Sequence, residues 1–522
     1  MRQVLFWSLV ASLAGLLFGF DTVVISGADK KLQNLWQSSD AFHGTVVMAM
    51  ALWGTVVGAL FGAYPTQRYG RKKILLWVGV FYTVSAVGSA LSNDPITFAV
   101  FRFIGGLGVG VSGIAVPAYI SEIAPAKSRG RLVGLYQASL VFGILLAFIS
   151  NYILSDTGEN DWRWMMGVEA FPAAIYTLLC FLIPKSPRWL ISKGFLEEAK
   201  AIHNKIDPKV SFENLVEEIN KSTNIQNTDE SIFDKKYRLP LKLAFLVAFF
   251  NQLSGINAFL YYAPRIFEEG GLGESTSLLS SIGIGITNLV FTLIGVSLID
   301  RLGRKRLMYY GSFGYIISLT LVACAFFFKW EGILIPLFLF VFIASHAIGQ
   351  GAIIWVYISE IFPNHLRNSG QSFGISVHWI LAAVIPSFVP VLFATIGAGV
   401  VFSVFAGFMM VEKFGFEVHQ LTALFLVNLV INIFAAPLFG YFVAFFGERR
   451  ALLIEYSGLI FVFLAYGGIY IFDWGVMLAA TLFVLDHLFF GLRMALKTYF
   501  QKISAPTFVS ISSRILSSEK FT

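Results

Sequence analysis

This sequence predicts an all-α membrane protein of two six-helix halves, and three observations predict it. Hydrophobic residues make up 57% of the 522 and charged residues only 13%, where a soluble domain carries about 25%. Apolar runs recur near the roughly 20 residues that cross a bilayer as a helix. A short basic string also occurs twice, QRYGRKK at 67–73 and DRLGRKR at 300–306, each after the second apolar run of a set of six. Internal duplication of this kind is how membrane carriers build a central site between two related bundles.

Taken in order, the first half (1–183) reads as spans at 4–25, 45–64, 74–91, 96–116, 132–154 and 164–183. The first run is long enough to span and no A-x-A-like site follows it, so no cleavable signal is expected. Residues 184–240 are polar and hold two amphipathic stretches, Leu196–Ile206 and Phe212–Ile219, which read as short helices of a cytoplasmic linker. The second half (241–411) repeats the pattern with spans at 243–262, 278–299, 307–328, 333–357, 375–393 and a short one at 398–411. Cys180 and Cys324 both fall inside apolar runs and read as structural thiols.

Placing the N-terminus in the cytoplasm gathers Arg68, Arg71, Lys72, Lys73, Lys127, Arg129, Arg131, Arg301, Arg304, Lys305 and Arg306 on the cytoplasmic side. The opposite loops keep few basic residues, Lys30, Lys31, Arg163, Arg265 and Lys329. That asymmetry is the positive-inside pattern, and it absorbs the net charge of +7 without any nucleic-acid partner. Residues 412–522 break the pattern. They add runs at 421–446, 452–472 and 475–492 and a Ser-rich tail, and counting through puts GERR (447–450) outside and the acidic EKFGFE (412–417) inside. Because GYFVAFFGERR resembles a further copy of the basic turn, the segment reads as part of another carrier joined near 400–411; a natural extension is the alternative.

Asp21 lies in LLFGFDTVVISG near the outer end of the first span. A carboxylate in an apolar segment is costly unless paired, protonated or wetted. Burial opposes its charge and a nearby cation favours it, so such a group can take and release a proton as a cavity opens and closes. Arg102, early in the fourth span, is the intramembrane cation available to it; a fixed structural pair is the plainer alternative. Amides come next: Gln137 in the fifth span, Asn251, Gln252 and Asn257 in FNQLSGINAFLYY, and Asn288 in the eighth. Asn251, Gln252 and Asn257 are expected to share one broad helix face. Amides offer donors and acceptors without charge, which suits sugar hydroxyls, while Trp355, Trp379 and His378 offer rings against which apolar sugar faces pack. Singly, each amide is better read as an interhelical hydrogen bond. Together they point to a polar solute.

Gly105, Gly106, Gly108, Gly110 and Gly113 crowd the fourth span and permit close helix approach rather than forming a phosphate loop. Glu122 in YISEIAPAKSRGR and Glu360 in YISEIFPNHLR occupy matching places in the two halves. Each can pair with Arg71 or Arg304, and a network there is expected to hold the inner side shut and the outer cavity open. Neither a metal cluster nor a nucleophile–base set is evident, so no enzyme activity is expected, and His378 reads as a sugar or helix contact rather than a zinc ligand.

By these residues the chain resembles the sugar porter family of the major facilitator superfamily. The strings that carry the resemblance are FGFDTVVISG (18–27), RYGRKK (68–73), RFIGGLGVG (102–110), PAYISEIAPAKSRGRL (117–132), WRWMMG (162–167), PKSPRWL (184–190), QLSGINAFLYY (252–262), DRLGRKR (300–306) and EIFPNHLR (360–367). It covers about residues 1–410. It implies the major facilitator fold, twelve helices in two six-helix halves rocking about a midplane sugar site, to which the runs after 412 would append about three extra helices. It implies Asp21 and Arg102 as the proton-coupling pair, with a proton as the coupling ion and no other cofactor. Gln137, Gln252, Asn257, Asn288, Trp355 and Trp379 match sugar-contacting positions, and Asn251 and His378 stand where Gln or Asn is common. The gate set is Arg68, Arg71, Glu122, Arg129, Asp300, Arg301, Arg304, Glu360 and Arg367.

Departures from the pattern are Gln67 in place of Asp, Lys185 in place of Glu in the P-E-S-P-R string, and the absence of P-E-T-K-G after the twelfth span. The expectation is a monomeric proton–monosaccharide symporter of a bacterial inner membrane. A passive facilitator, a non-transporting sensor and an inert fusion product are the alternatives.

Overall fold

The structure, a computed structural model, describes residues 2–414 other than 126–127, 207–210, 226–229, 331 and 364–365, together with residue 482. The chain divides into two compact units, Met1–Met409 and Met410–Thr522. The described helices belong to the first, except for the end of Ala398–Phe414. The further spans expected at 421–446, 452–472 and 475–492, and with them the segment read as joined from another carrier, lie outside the described residues apart from 412–414 and 482.

Among the described residues nine helices are long and apolar enough to cross a bilayer, or ten when the pair Asp40–Met48 and Met50–Phe61, bent by 42°, counts as one. The first span is Arg2–Val24, the third Arg71–Leu91, the fourth Pro95–Ile123 and the fifth Arg129–Leu154. The sixth is divided into Asp161–Gly167 and Ala170–Leu179, and the twelfth is the shorter Ala398–Phe414. Between them run the eighth (Glu274–Leu302), ninth (Arg304–Phe327), tenth (Leu334–His346, continued by Ala352–Ile361) and eleventh (Arg367–Ile396).

The duplication read from the basic strings is also a duplication of backbone. Gly70 separates Ala63–Tyr69 from Arg71–Leu91 at φ 85°, ψ 152°, and Gly303 separates Glu274–Leu302 from Arg304–Phe327 at φ 79°, ψ 158°. A side chain resists that conformation, so the same sharp turn is built twice on glycine.

Polypeptide polar groups have no water in a bilayer core, so helices must pack by close approach rather than by apolar burial alone. Glycines on the fourth span meet the second: a Cβ on Gly106 would strike the Ala51 carbonyl, and Gly110 lies against Thr55 and Gly58. Gly19 and Gly143 bring the first and fifth spans together in the same way, against Leu140 and Leu16. Asp94 starts the fourth span by accepting from Ile96 N (3.0 Å) and Thr97 N (2.9 Å). The Thr97 hydroxyl and amide bonds hold its carboxyl below the ordinary range.

The linker folds as Pro187–Ser192, Leu196–Ile206 and Phe212–Ile225 around Leu190, Ile191, Ala199 and Ile202. It docks on the first half through Trp189, whose indole Nε1 donates to the Gln67 carbonyl at 2.9 Å and whose ring covers Gly70. Lys185, the reversed charge of the P-K-S-P-R string, pairs with Glu198 of this linker at 3.1 Å.

Candidate functional site

The first span ends where the fourth begins, on the face opposite the basic turns. This antiparallel arrangement sets Asp21 level with Arg102. The two are 1% and 2% exposed and form an ion pair through Arg102 Nη1, while Nη2 donates to the Asp21 carbonyl at 2.8 Å. A third charged residue joins them. Glu169, 1% exposed, sits between the two pieces of the sixth span and interacts with both Asp21 and Arg102. Asp21 Oδ2, Glu169 Oε1 and Arg102 Nε have no hydrogen-bond partner among the described residues. Two buried carboxylates and one guanidinium leave a formal surplus of one negative charge, which is costly in so apolar a shell.

The amides come together, but not by sharing a helix face. The seventh span is broken: Arg238–Leu253 ends, Gly255 takes φ 81°, and a second piece runs Ile256–Glu269. The break folds Asn257 back so that its Nδ2 donates to Gln252 Oε1 at 2.8 Å, and Gln252 Nε2 donates to Asn251 Oδ1 at 2.9 Å. Helical periodicity alone does not bring those groups into contact; the left-handed residue does. Gln252 Nε2 also reaches the His378 ring (3.1 Å to Nδ1). His378 in turn stands edge-on between Trp355 (4.9 Å) and Trp379 (5.0 Å). Trp379 packs on Phe18 of the first span at 5.6 Å, so the rings bridge the two halves.

Gln137 is half-buried on the fifth span. Asn288 is buried on the eighth and accepts from Thr292 Oγ1 at 3.3 Å. Such a discontinuous helix with clustered amides and aromatic rings is a place for a neutral, hydroxyl-rich solute.

Comparison with known proteins agrees. The family profile described as "Sugar (and other) transporter" matches residues 7–416. An arabinose–proton symporter of Bacillus subtilis is 35% identical over 415 residues, covering 78% of this chain and 89% of that protein. A D-xylose transporter of Levilactobacillus brevis is 37% identical, covering 78% and 92%. Among solved structures, the xylose transporter of E. coli in a partially occluded, inward-open conformation superposes with a TM-score of 0.69 at 29% identity, over 80% of this chain and all of that one.

The chain belongs to the sugar porter family of the major facilitator superfamily.

A sugar porter is a multi-pass membrane transporter and not an enzyme, and its two ends decide which way it faces. On the basic face Arg71 Nη2 meets Glu122 at 2.7 Å and Arg304 Nη2 meets Glu360 at 2.9 Å. Each pair joins successive spans of one half, because Arg and Glu of a turn and its neighbour are nearest to each other. In this conformation each of these two pairs stays within its own half. Arg68 donates to Tyr64 of its own turn; Arg129, Arg301 and Arg367 are exposed, and the Asp300 side chain lies outside the described residues.

Ties between the halves lie on the far face instead: Lys30 with Glu268 (2.5 Å), Arg265 with Gln33 (2.5 Å) and Asp29 (3.5 Å), and Lys31 with Glu274 (3.3 Å). Burial alone would lower the Lys31 ammonium pKa, but Asp161 at 2.5 Å and then Glu274 hold it above its ordinary value. Toward the basic face, side chains added at Gly130 or Gly134 would meet nothing within 4 Å among the described residues. The conformation is closed on the far face, not open there as the expected outward-facing arrangement would be.

Glu169 and the far-face ties were not singled out from the sequence. Glu169 carried the same signal as Asp21, a lone acid inside an apolar run. The far-face residues had none, since charged loop residues are ordinary.

Proposed function

We propose that this porter imports a monosaccharide, a hexose or pentose, with a proton, by alternating access across a bacterial cell membrane with its N-terminus and basic face in the cytoplasm. The observation that carries the reading is the buried set of two carboxylates and one guanidinium, Asp21, Glu169 and Arg102, in a chain that also holds a neutral amide cluster. In the outward-facing state a proton enters this set and cancels its surplus charge, while Gln137, Gln252, Asn257, Asn288, Trp355 and Trp379 hold the sugar. The halves rock to the inward-facing arrangement, the sugar leaves, and the proton follows as Arg102 again balances Asp21. The lone orientation cue is the basic asymmetry, which favours a cytoplasmic basic face.

Relatives whose names include proton symport, for arabinose and for xylose, support the coupling. A passive facilitator has support of its own, since a glucose facilitated diffusion protein of Zymomonas mobilis is 31% identical over 428 residues. The two separate in liposomes holding the purified carrier. Under symport an imposed proton gradient concentrates sugar inside, and a facilitator merely equalises it.

A further inference from the structure

We infer that Asp29 and Arg265 form a lock that holds the far face shut, with His43 as the residue that positions Asp29. The inference rests on the alternating-access reading above, but not on proton coupling. Asp29, 2% exposed, belongs to the first half, just past the end of the first span. One of its oxygens, Oδ1, lies 2.7 Å from Nε2 of the fully buried His43, whose Nδ1 is 3.4 Å from Ser38 Oγ. The other oxygen, Oδ2, faces Arg265 Nη1 of the second half at 3.5 Å. Arg265 Nη2 donates to Gln33 Oε1 at 2.5 Å, and Gln33 Nε2 donates onward to Asp40 Oδ1 at 2.7 Å. A guanidinium from one half is therefore received by Asp29 and Gln33 of the other. Next to it the backbone of Gly44 lies against Ser387 and Pro390 of the eleventh span, so this contact is also where the halves touch.

The geometry is that of a releasable contact. Asp29 Oδ2 and Arg265 Nη1 are buried yet have no hydrogen-bond partner among the described residues. Opening the far face would expose both charges to water, which solvates what the closed state leaves incompletely paired. Lys30–Glu268 and Lys31–Glu274 are more exposed and contribute little to the closed state by comparison. Arg265 stands on the same half-helix, Ile256–Glu269, that begins beside Asn257 of the amide cluster. The lock and the sugar site thus share one structural piece.

The test is thiol labelling by a membrane-impermeant maleimide, in carrier whose Cys180 and Cys324 have been replaced by Ala. Ser387→Cys reports the far face, where Ser387 is 2% exposed. Gly134→Cys reports the basic face: it stands one turn before Gln137, and a Cβ there meets nothing within 4 Å among the described residues. Arg265→Gln is expected to raise labelling of Ser387→Cys at least tenfold and to lower that of Gly134→Cys, with Arg265→Lys between the two. Asp29→Asn, nearly isosteric, must give the same reciprocal change and covers the case in which Arg265→Gln does not assemble. Unchanged rates, or a rise at both positions as in simple loosening, overturn the lock. Adding sugar to the carrier with Arg265 and Asp29 intact should alter both rates, which separately reports whether it alternates at all.

Discussion

Replacing Asp21 by Asn separates transport from coupling more sharply than any other single change. In the native carrier two carboxylates, each 1% exposed, face one guanidinium, so a neutral set requires a proton. Removing the Asp21 charge leaves Glu169 and Arg102, which balance without one. The variant should fold, because Arg102 keeps a counter-charge; the expected stability loss is about 1–2 kcal/mol for the altered hydrogen bonding, well below the roughly 3–5 kcal/mol that follows orphaning of a buried charge. Its transport should become indifferent to protons. A pH difference of about one unit supplies about 1.4 kcal/mol per proton, enough for roughly tenfold sugar accumulation at one proton per sugar. In liposomes with such a gradient the native carrier should reach that ratio. Asp21→Asn should stay near unity while still exchanging internal for external labelled sugar. Accumulation by the variant equal to the native value would refute the assignment of the proton to this set.

Other changes probe the amide cluster. Gln252→Ala strands Asn257 and His378 and should weaken sugar binding by about 1–3 kcal/mol, read as a raised Kd by tryptophan fluorescence with no change in proton coupling. Gly255→Ala forces a side chain into a residue at φ 81° that already abuts Phe405, which should cost about 1–3 kcal/mol, lower the melting temperature and weaken sugar binding because Asn257 is displaced. His378→Gln keeps a hydrogen-bonding partner for Gln252 but loses two edge-on ring contacts, each worth about 0.5–1.5 kcal/mol. Competition among hexoses and pentoses should then change rank order, whereas an unchanged order would remove His378 from the selectivity of the site.

Much of this architecture can be read from residues that break their local rule. Asp21 and Arg102 stand out because charge is rare in apolar spans, and the structure pairs them. The repeated basic turns stand out because loops seldom duplicate, and Gly70 and Gly303 share one backbone conformation. Glu169 follows the same logic, a lone acid inside the apolar run of the sixth span, but its meeting with Asp21 and Arg102 depends on how that span packs. The amides of FNQLSGINAFLYY were legible as a group, but their contact depends on one positive φ at Gly255, which periodicity does not encode. Far-face ties were illegible for a different reason. Asp29 and His43 lie 14 residues from one another, and Arg265 lies more than 200 residues from both, so their meeting is a property of tertiary packing in one conformation. The same holds for the basic-face pairs: Arg71–Glu122 and Arg304–Glu360 are suggested by matching strings, yet only the packing shows that each stays within its half.

The most direct measurement of the central claim is proton uptake triggered by sugar. A lightly buffered suspension of liposomes containing the purified carrier, with no imposed gradient, is challenged with a transported monosaccharide while external pH is recorded. Alkalinisation that rises with sugar uptake toward one proton per sugar, and vanishes in Asp21→Asn, is the predicted result. Sugar entry at full rate with no change in external pH would contradict it.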